Sequence, residues 1–377
     1  MKKTLLAAAL ATGFVAAGAA HAETSVTLYG IVDGGIGYQQ LKGTLADPVT
    51  GDPVEYNGKR TGMINGINSA NRWGLKGTED LGNGLQAVFV LESGFDLGTG
   101  VSGQALGDTN RMFGRQATVG LQSDAWGRLD LGRQTNIATK YFADVASPFG
   151  VDFGQAAAGT TFNSAASLRY DNMVMYQTPN FSGFQFGVGY SFNASGSQGF
   201  EVDGEDPNTH AWTTGLRYAN GPIGLAATYD QFEAPETLPV DGGVKVKSWN
   251  VGASYDFSVA RLHAGFGQTR NGWFQGITFA DLDTAGALVV EDGMRVNSYT
   301  VGLSAPVGPG EVMASWGMAD PRGTAGDDEK QNVYSLGYTY PLSKRTNIYA
   351  VGSYAKNVAF QDDLKSTLVG VGMRHQF

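Results

Sequence analysis

Large apolar side chains alternate with small or polar ones along this chain from one end to the other. From Gly183 to Phe192, Phe184, Phe186, Val188, Tyr190 and Phe192 oppose Gln185, Gly187, Gly189 and Ser191. From Ser248 to Phe257, Trp249, Val251, Ala253, Tyr255 and Phe257 oppose Ser248, Asn250, Gly252, Ser254 and Asp256, and Glu311 to Met318 repeats the pattern with Val312, Ala314, Trp316 and Met318. A strand turns successive side chains to opposite faces, so each segment carries one greasy face and one polar face. The last strand does the same and ends on a phenylalanine carboxylate: Val369, Val371, Met373, His375 and Phe377 share one face, and Gly370, Gly372, Arg374 and Gln376 the other. A terminal strand needs a partner for its backbone groups, and the expected partner is the first strand of a closed barrel, which has no edge.

The N-terminus carries Lys2 and Lys3, an apolar run from Leu5 to Ala20, and the small-x-small triplet Ala20-His21-Ala22. This is the layout of a secretory signal peptide, with the cut expected before Glu23. Residues 23–377 are then one domain. Losing Lys2 and Lys3 leaves 24 basic residues against 35 acidic ones, a net charge of −11, which argues against a nucleic-acid partner. The chain has no cysteine, so no disulfide, thiol nucleophile or thiolate metal site is available. With 55 glycines and 42% hydrophobic residues it is thin for a packed core of this length. A barrel escapes that limit because its outside faces lipid. Past the leader no stretch approaches the roughly 18 apolar residues of a helical span, so a closed β-barrel is the membrane-spanning structure that remains.

Seven short turns stand out, such as Asp80-Leu81-Gly82-Asn83, Asn220-Gly221-Pro222 and Pro341-Leu342-Ser343-Lys344, and between them lie eight long polar segments, near 39–68, 96–110, 135–166, 194–208, 234–244, 271–294, 320–329 and 358–366. Fifteen connections join sixteen antiparallel strands, expected at 25–38, 69–79, 84–95, 111–122, 127–134, 167–178, 183–193, 209–219, 223–233, 245–256, 260–270, 295–304, 310–319, 330–340, 346–357 and 367–377. The short turns belong on the periplasmic side and the long loops outside. A barrel of sixteen strands encloses a water-filled lumen.

The third long loop, Thr135 to Ala166, mixes alanines and glycines with Ser147-Pro148-Phe149-Gly150-Val151-Asp152, a composition suited to packing against a wall, and holds two acids, Asp144 and Asp152. Opposite them, Arg72, Arg115 and Arg169 fall on alternate early strands, with Lys76, Arg217 and Arg374 as further lumen candidates. For Arg72 the parity is clear, because Trp73 and Leu75 take the other face. For Arg115 it is poor, since Ala117, Val119 and Leu121 share its face. Fixed charges around a wide pore set ion preference without tight binding, and arginine keeps its proton; the expectation is weak anion preference, with Asp33, Asp144 and Asp152 opposing it. Gly98 to Gly103 has dinucleotide-type glycine spacing but no strand-helix context. His210, His263 and His375 are scattered, with no serine and acid at triad spacing, so no catalytic group, cofactor or metal site is expected. The acid runs Asp203 to Asp206 and Asp327-Asp328-Glu329 read as solvated loop faces, or as places where divalent ions bridge to lipopolysaccharide.

Ser25 to Gly30, Arg72 to Leu85, Leu131-Gly132-Arg133-Gln134, Arg169-Tyr170-Asp171-Asn172, Leu342 to Thr346 and the closing Arg374-His375-Gln376-Phe377 resemble the general porins of Gram-negative bacteria, of the beta-proteobacterial type. The resemblance covers essentially the whole mature chain. It implies a homotrimer of sixteen-stranded barrels in the outer membrane, passive diffusion of ions and small hydrophilic solutes, and a third loop folded into each lumen. It also implies that Arg72, Arg115 and Arg169 line the constriction, and that Phe377 and His375 form a terminal signal read by the barrel-assembly machinery. The chain departs in carrying Gln376 where such porins often have a basic residue. Trimer contacts are expected on the early strands, around Gly30, Gly34 and Gly37, with loop two, near Gly94 to Asn110, latching onto a neighbour. A substrate-specific channel is the alternative; it would need a track of aromatics, which Tyr29 and Tyr170 do not make.

Overall fold

The computed structural model describes residues 25–46, 53–104, 111–202, 204, 206–234, 243–273, 279, 289–323 and 329–377; the expected leader lies outside them. The strands are β1 (Ser25–Ala46), β2 (Pro53–Asn65), β3 (Arg72–Gly82), β4 (Leu85–Gly94), β5 (Gln116–Ser123), β6 (Gly127–Thr135), β7 (Arg169–Tyr170), β8 (Met173–Gln177), β9 (Phe184–Ser191), β10 (Ala211–Asn220), β11 (Ile223–Glu233), β12 (Lys245–Asp256), β13 (Arg261–Trp273), β14 (Val289–Val307), β15 (Gly310–Arg322), β16 (Gln331–Pro341), β17 (Thr346–Lys356) and β18 (Lys365–Gln376). Every pairing is antiparallel, and β18 returns to β1 in a register from Ile31↔Gln376 to Lys42↔Lys365. Beyond that ladder, Gly30 and Phe377 exchange two backbone hydrogen bonds of 3.1 Å, so the last residue is itself part of the closure.

The closed sheet has sixteen staves. β2 and β3 both run alongside β1, from Gly34↔Asn65 upward and from Ile31↔Arg72 downward, as one stave interrupted at 66–71. β7 and β8 both pair with β6 as another. Most of the expected first loop at 39–68 is therefore a prolonged β1–β2 hairpin. The interruption is organised by Asp33, whose carboxylate accepts the Tyr349 hydroxyl (2.6 Å) and the Ser69 amide (3.1 Å), while its carbonyl accepts from Gly66 and Asn71. Asp33 is fully buried and does not face the open pore.

The outer face is apolar and the inner face small and polar. On β18 Val369, Val371 and Met373 are exposed, whereas Ser366 and Leu368 are buried. Aromatic pairs such as Trp249–Phe266 and Tyr190–Trp212 lie on the outer face. Gly30 and Gly34 also face outward, Gly30 under the Phe377 ring and Gly34 beside Leu97 of loop two; Gly37 instead faces inward against Ile64, because its odd position reverses the parity.

Residues 136–168 occupy the inner side. The chain forms two short helices, α1 (Ile137–Tyr141) and α2 (Ala143–Ala146), and three 3-10 turns at 154–156, 158–160 and 163–165. Phe142, Phe162, Ala138, Ala143 and Ala146 are buried between this segment and the wall. The wall accommodates them with glycine: a Cβ at Gly215 would lie 2.9 Å from Ile137, at Gly252 3.0 Å from Phe142, and at Gly337 2.9 Å from Phe149. Polar anchors complete the seat. Asn136 caps α1 through Thr139 and donates to both the Ser164 carbonyl and Asp230 (2.7 Å each), drawing the two ends of the segment together. Gln155 donates to Ser353, Gln331 donates to the Thr160 carbonyl, and the Phe153 amide donates to the Asn68 carbonyl. Overfilling this seat should displace the loop at a cost of about 1–3 kcal/mol. Gly252→Leu is expected to lower the thermal unfolding temperature and enlarge the single-channel conductance step; an unchanged step with unchanged stability would show that the loop does not depend on the glycine seat.

Candidate pore constriction

Loop three packs along the inner wall from β8 to β18 and touches Tyr170 of β7; the arginines stand beside it, on β3, just before β5 and at the start of β7. Arg72 opens β3, on the face of Gly74 and Lys76, and its Nε donates to the Ala70 carbonyl at 3.0 Å. Arg115 precedes β5, so the strict alternation that would turn it outward has not yet begun. Its Nε donates to Glu92 at 2.7 Å, and Glu92 also accepts the Tyr29 hydroxyl at 3.0 Å. Lys76 lies over the Tyr29 ring, 5.3 Å from its centroid. Arg169 opens β7 and donates to the carbonyls of Arg115 (3.0 Å) and Ser167 (2.9 Å). The three arginines thus gather around one carboxylate, and among the described residues neither Arg72 nor Arg169 has an ion pair.

Sequence reasoning gave no role to a second cluster. Arg111 and Arg133 both hold Asp171 at 2.7 Å, and Arg133 also donates to the Gly114 carbonyl. Arg133 and Asp171 stand in the Leu131–Gln134 and Arg169–Asn172 segments, but their pairing across sheet registers was not readable from spacing. Among the other candidates, Arg217 donates to Gln185 at 2.8 Å and lies 4.9 Å from the Tyr141 ring centroid, against α1. Arg374 lines a cavity of about 620 Å³ at the short-turn end, with Asp144, Asp152, Arg261, His263 and Glu311 among its walls. Arg217 stands against the loop, whereas Arg374, opposite Asp33 on the far side of β1, lies within the field of Arg72. His375 faces outward and meets Thr346 at 2.9 Å. His263 is buried beneath the loop, its Nδ1 against the Val145 carbonyl, and His210 pairs with Asp206 at 2.8 Å. Among the described residues no group of three or more metal-ligating side chains forms.

Asp144 and Asp152 lie on the loop rather than on strands. Burial pushes both carboxyls above the usual range; Arg217 and His263 offset this at Asp144, and Arg374 and Arg72 at Asp152. Asp152 thus lies within the field of both Arg72 and Arg374.

A closed, outward-apolar sixteen-stave barrel with a charged inner ring and an inward-packed loop is a channel through a membrane. The chain belongs to the Gram-negative porin family, whose pattern matches residues 6–359. It is 55% identical to an outer membrane porin protein of Bordetella pertussis and 33% identical to outer membrane porin protein 32 of Delftia acidovorans, each over the full length of both chains. It resembles the solved anion-selective porin from Comamonas acidovorans with a TM-score of 0.69 and 29% identity, over 94% of this chain and 100% of that one. It is an outer-membrane, multi-pass β-barrel channel for passive diffusion of solutes.

The raised acids set a pH dependence. A buried carboxyl takes up its proton above the ordinary range near 4, while arginine stays charged. As pH falls toward the ordinary carboxylate range near 4, the loop loses negative charge before exposed carboxylates do, and the reversal potential in a salt gradient should move toward the anion. Protonation also relieves a burial cost, so the loop should remain seated through that window. Replacing Asp144 and Asp152 by Asn should give the acid-form potential already at neutral pH; if the double variant keeps the full pH shift, other groups carry it.

Proposed function

We propose that the constriction lies between the wall bearing Arg72, Arg115 and Arg169 and the loop bearing Asp144 and Asp152, and that it gives the channel a weak anion preference. The observation that carries this reading is the uneven neutralisation: Arg115 pairs with Glu92, while Arg72 and Arg169 donate to backbone carbonyls. Fixed charges act over a screening length of about 8–10 Å, so these few groups outweigh a net charge that is spread over loops and outer faces. Lys76 adds to the positive wall. A substrate-selective channel would need a polar-aromatic track, and Tyr29 is engaged by Glu92 and Lys76 while Tyr170 is buried.

The protein works as a pore and not as an enzyme, without a metal or cofactor, and its first 22 residues act as a cleaved secretory leader. The functional unit is a homotrimer docked through the outer faces of the early strands, where Val26, Leu28, Ile36, Met63 and Val119 are exposed apolar side chains and Gly34 permits close approach. Loop two extends over that face. The terminal Phe377, with His375, serves as the assembly signal read by the barrel-assembly machinery, and the rim contacts lipopolysaccharide of the outer leaflet.

In planar bilayers, the purified mature protein should give large conductance steps, in threes, with an anion-side reversal potential. Arg72→Glu combined with Arg169→Glu should move that potential to the cation side without closing the pore. A potential unmoved by the double substitution would remove these arginines from the constriction. Light scattering of the detergent-solubilised protein should give three chains per particle, and a monomer mass would overturn the trimer.

A further inference from the structure

A second charged feature lies on the outer face at the long-loop end, where no solute in the lumen can reach it. The registers set Lys247 opposite Arg270, Arg270 opposite Arg295, and Arg295 opposite Arg322, a row of four cations across β12, β13, β14 and β15. Parity places them on the same face as the exposed Trp249, Leu262, Val301 and Leu303. Directly opposed like charges repel across a ladder. Neutralisation within the chain is incomplete: Arg322 donates to Asp320 at 2.9 Å, a carboxylate Lys330 shares at 3.6 Å, and Arg270 donates to the neutral Gln268 at 2.7 Å. No carboxylate among the described residues pairs with Arg295, although Glu291 and Asp292 stand on the same strand. Arg270, Arg295 and Arg322 line a cleft of about 420 Å³ together with Asn271, Gly293 and Gly323.

We propose that this cleft holds a phosphate of a phosphorylated glycolipid in the outer leaflet, the lipid A portion of lipopolysaccharide. It assigns a site to the lipopolysaccharide contact suggested above and rests on that reading. Three features select this occupant. Converging guanidinium groups match phosphate oxygens bidentately. The row lies just beyond the outer apolar band, at the level where headgroups begin. It also points to lipid rather than to the lumen, so an anion in transit is not its ligand. Bound phosphate would neutralise the opposed charges and tie β12 to β15 together.

The test titrates the full-length mature protein, in neutral phosphatidylcholine nanodiscs, with fluorescent diphosphorylated lipid A, with its phosphate-free form, and with inorganic phosphate as competitor. The variant Arg270→Gln/Arg295→Gln/Arg322→Gln is compared with Lys42→Gln/Lys356→Gln/Lys365→Gln, which removes equal charge from another row of opposed lysines on the outer face. We expect the arginine variant to bind lipid A about tenfold more weakly, the lysine variant to change by less than about threefold, and added salt to weaken the wild type. Should the triple variant fold poorly, Arg295→Gln alone is expected to give about a threefold loss. Equal losses in both variants, equal binding of the phosphate-free lipid, or inorganic phosphate binding as tightly as lipid A would each overturn the site. Single-channel conductance in neutral bilayers is read in parallel and should be the same for all forms; a non-conducting wild type would count against the channel and not against the cleft.

Discussion

Closure of the hydrogen-bonded ladder is the constraint on which everything else depends. In hydrocarbon an unpaired backbone amide or carbonyl has no water to turn to, so an open edge is not a viable end state. The chain meets this by bringing β18 back to β1 and by using its last residue, Phe377, to exchange two hydrogen bonds with Gly30. Glycine at position 30 leaves room for the terminal ring. Once the ladder is closed, the alternation of side chains assigns an apolar outside and a small, polar inside at every stave, and the interior becomes available for a second layer.

That second layer is loop three, which packs on the inside of the wall. It has no continuous apolar face of its own. It is held by a glycine-floored track on β10, β12 and β16, by aromatic contacts through Phe142 and Phe149, and by anchors from Asn136, Gln155 and Gln331. Beside it on the wall stand Arg72, Arg115 and Arg169, with Arg115 paired to Glu92. The junction at 66–71 couples these parts: Asp33 fixes it to β17 through Tyr349, and Asn68 receives the Phe153 amide of the loop.

Most of the architecture was legible in the chain because a period-two pattern with a lipid-facing side has little freedom of register: a one-residue slip would put every greasy side chain in water. Sixteen staves, seven short turns and the outward set Val369, Val371 and Met373 follow from it. The expected loop at 39–68 was a misreading of β1 and β2, since these segments extend beyond the apolar band and no longer alternate greasy with polar. Gly37 was placed on the outer face with Gly30 and Gly34, although its odd position turns it inward. Among the arginines of the inner wall, the parity of Arg72 was readable. That of Arg115 was not, because it precedes the regular strand and its direction is set by Glu92 on the neighbouring stave. The pairing of Arg111 and Arg133 on Asp171 depends on contacts across some forty to sixty residues, beyond any local spacing.

The sequence by itself determined the barrel, its stave count, the faces of its strands and the family to which the chain belongs, since these rest on local periodicity and on motifs contiguous in the chain. Only the tertiary structure decided where the loop packs, that Asp33 serves the junction rather than the pore, that Arg217 stands against the loop, and that four cations meet in one row outside the barrel. Those outcomes depend on which residues come to lie opposite one another once the sheet has closed, and cross-strand neighbours of that kind are set by register and curvature rather than by distance along the chain.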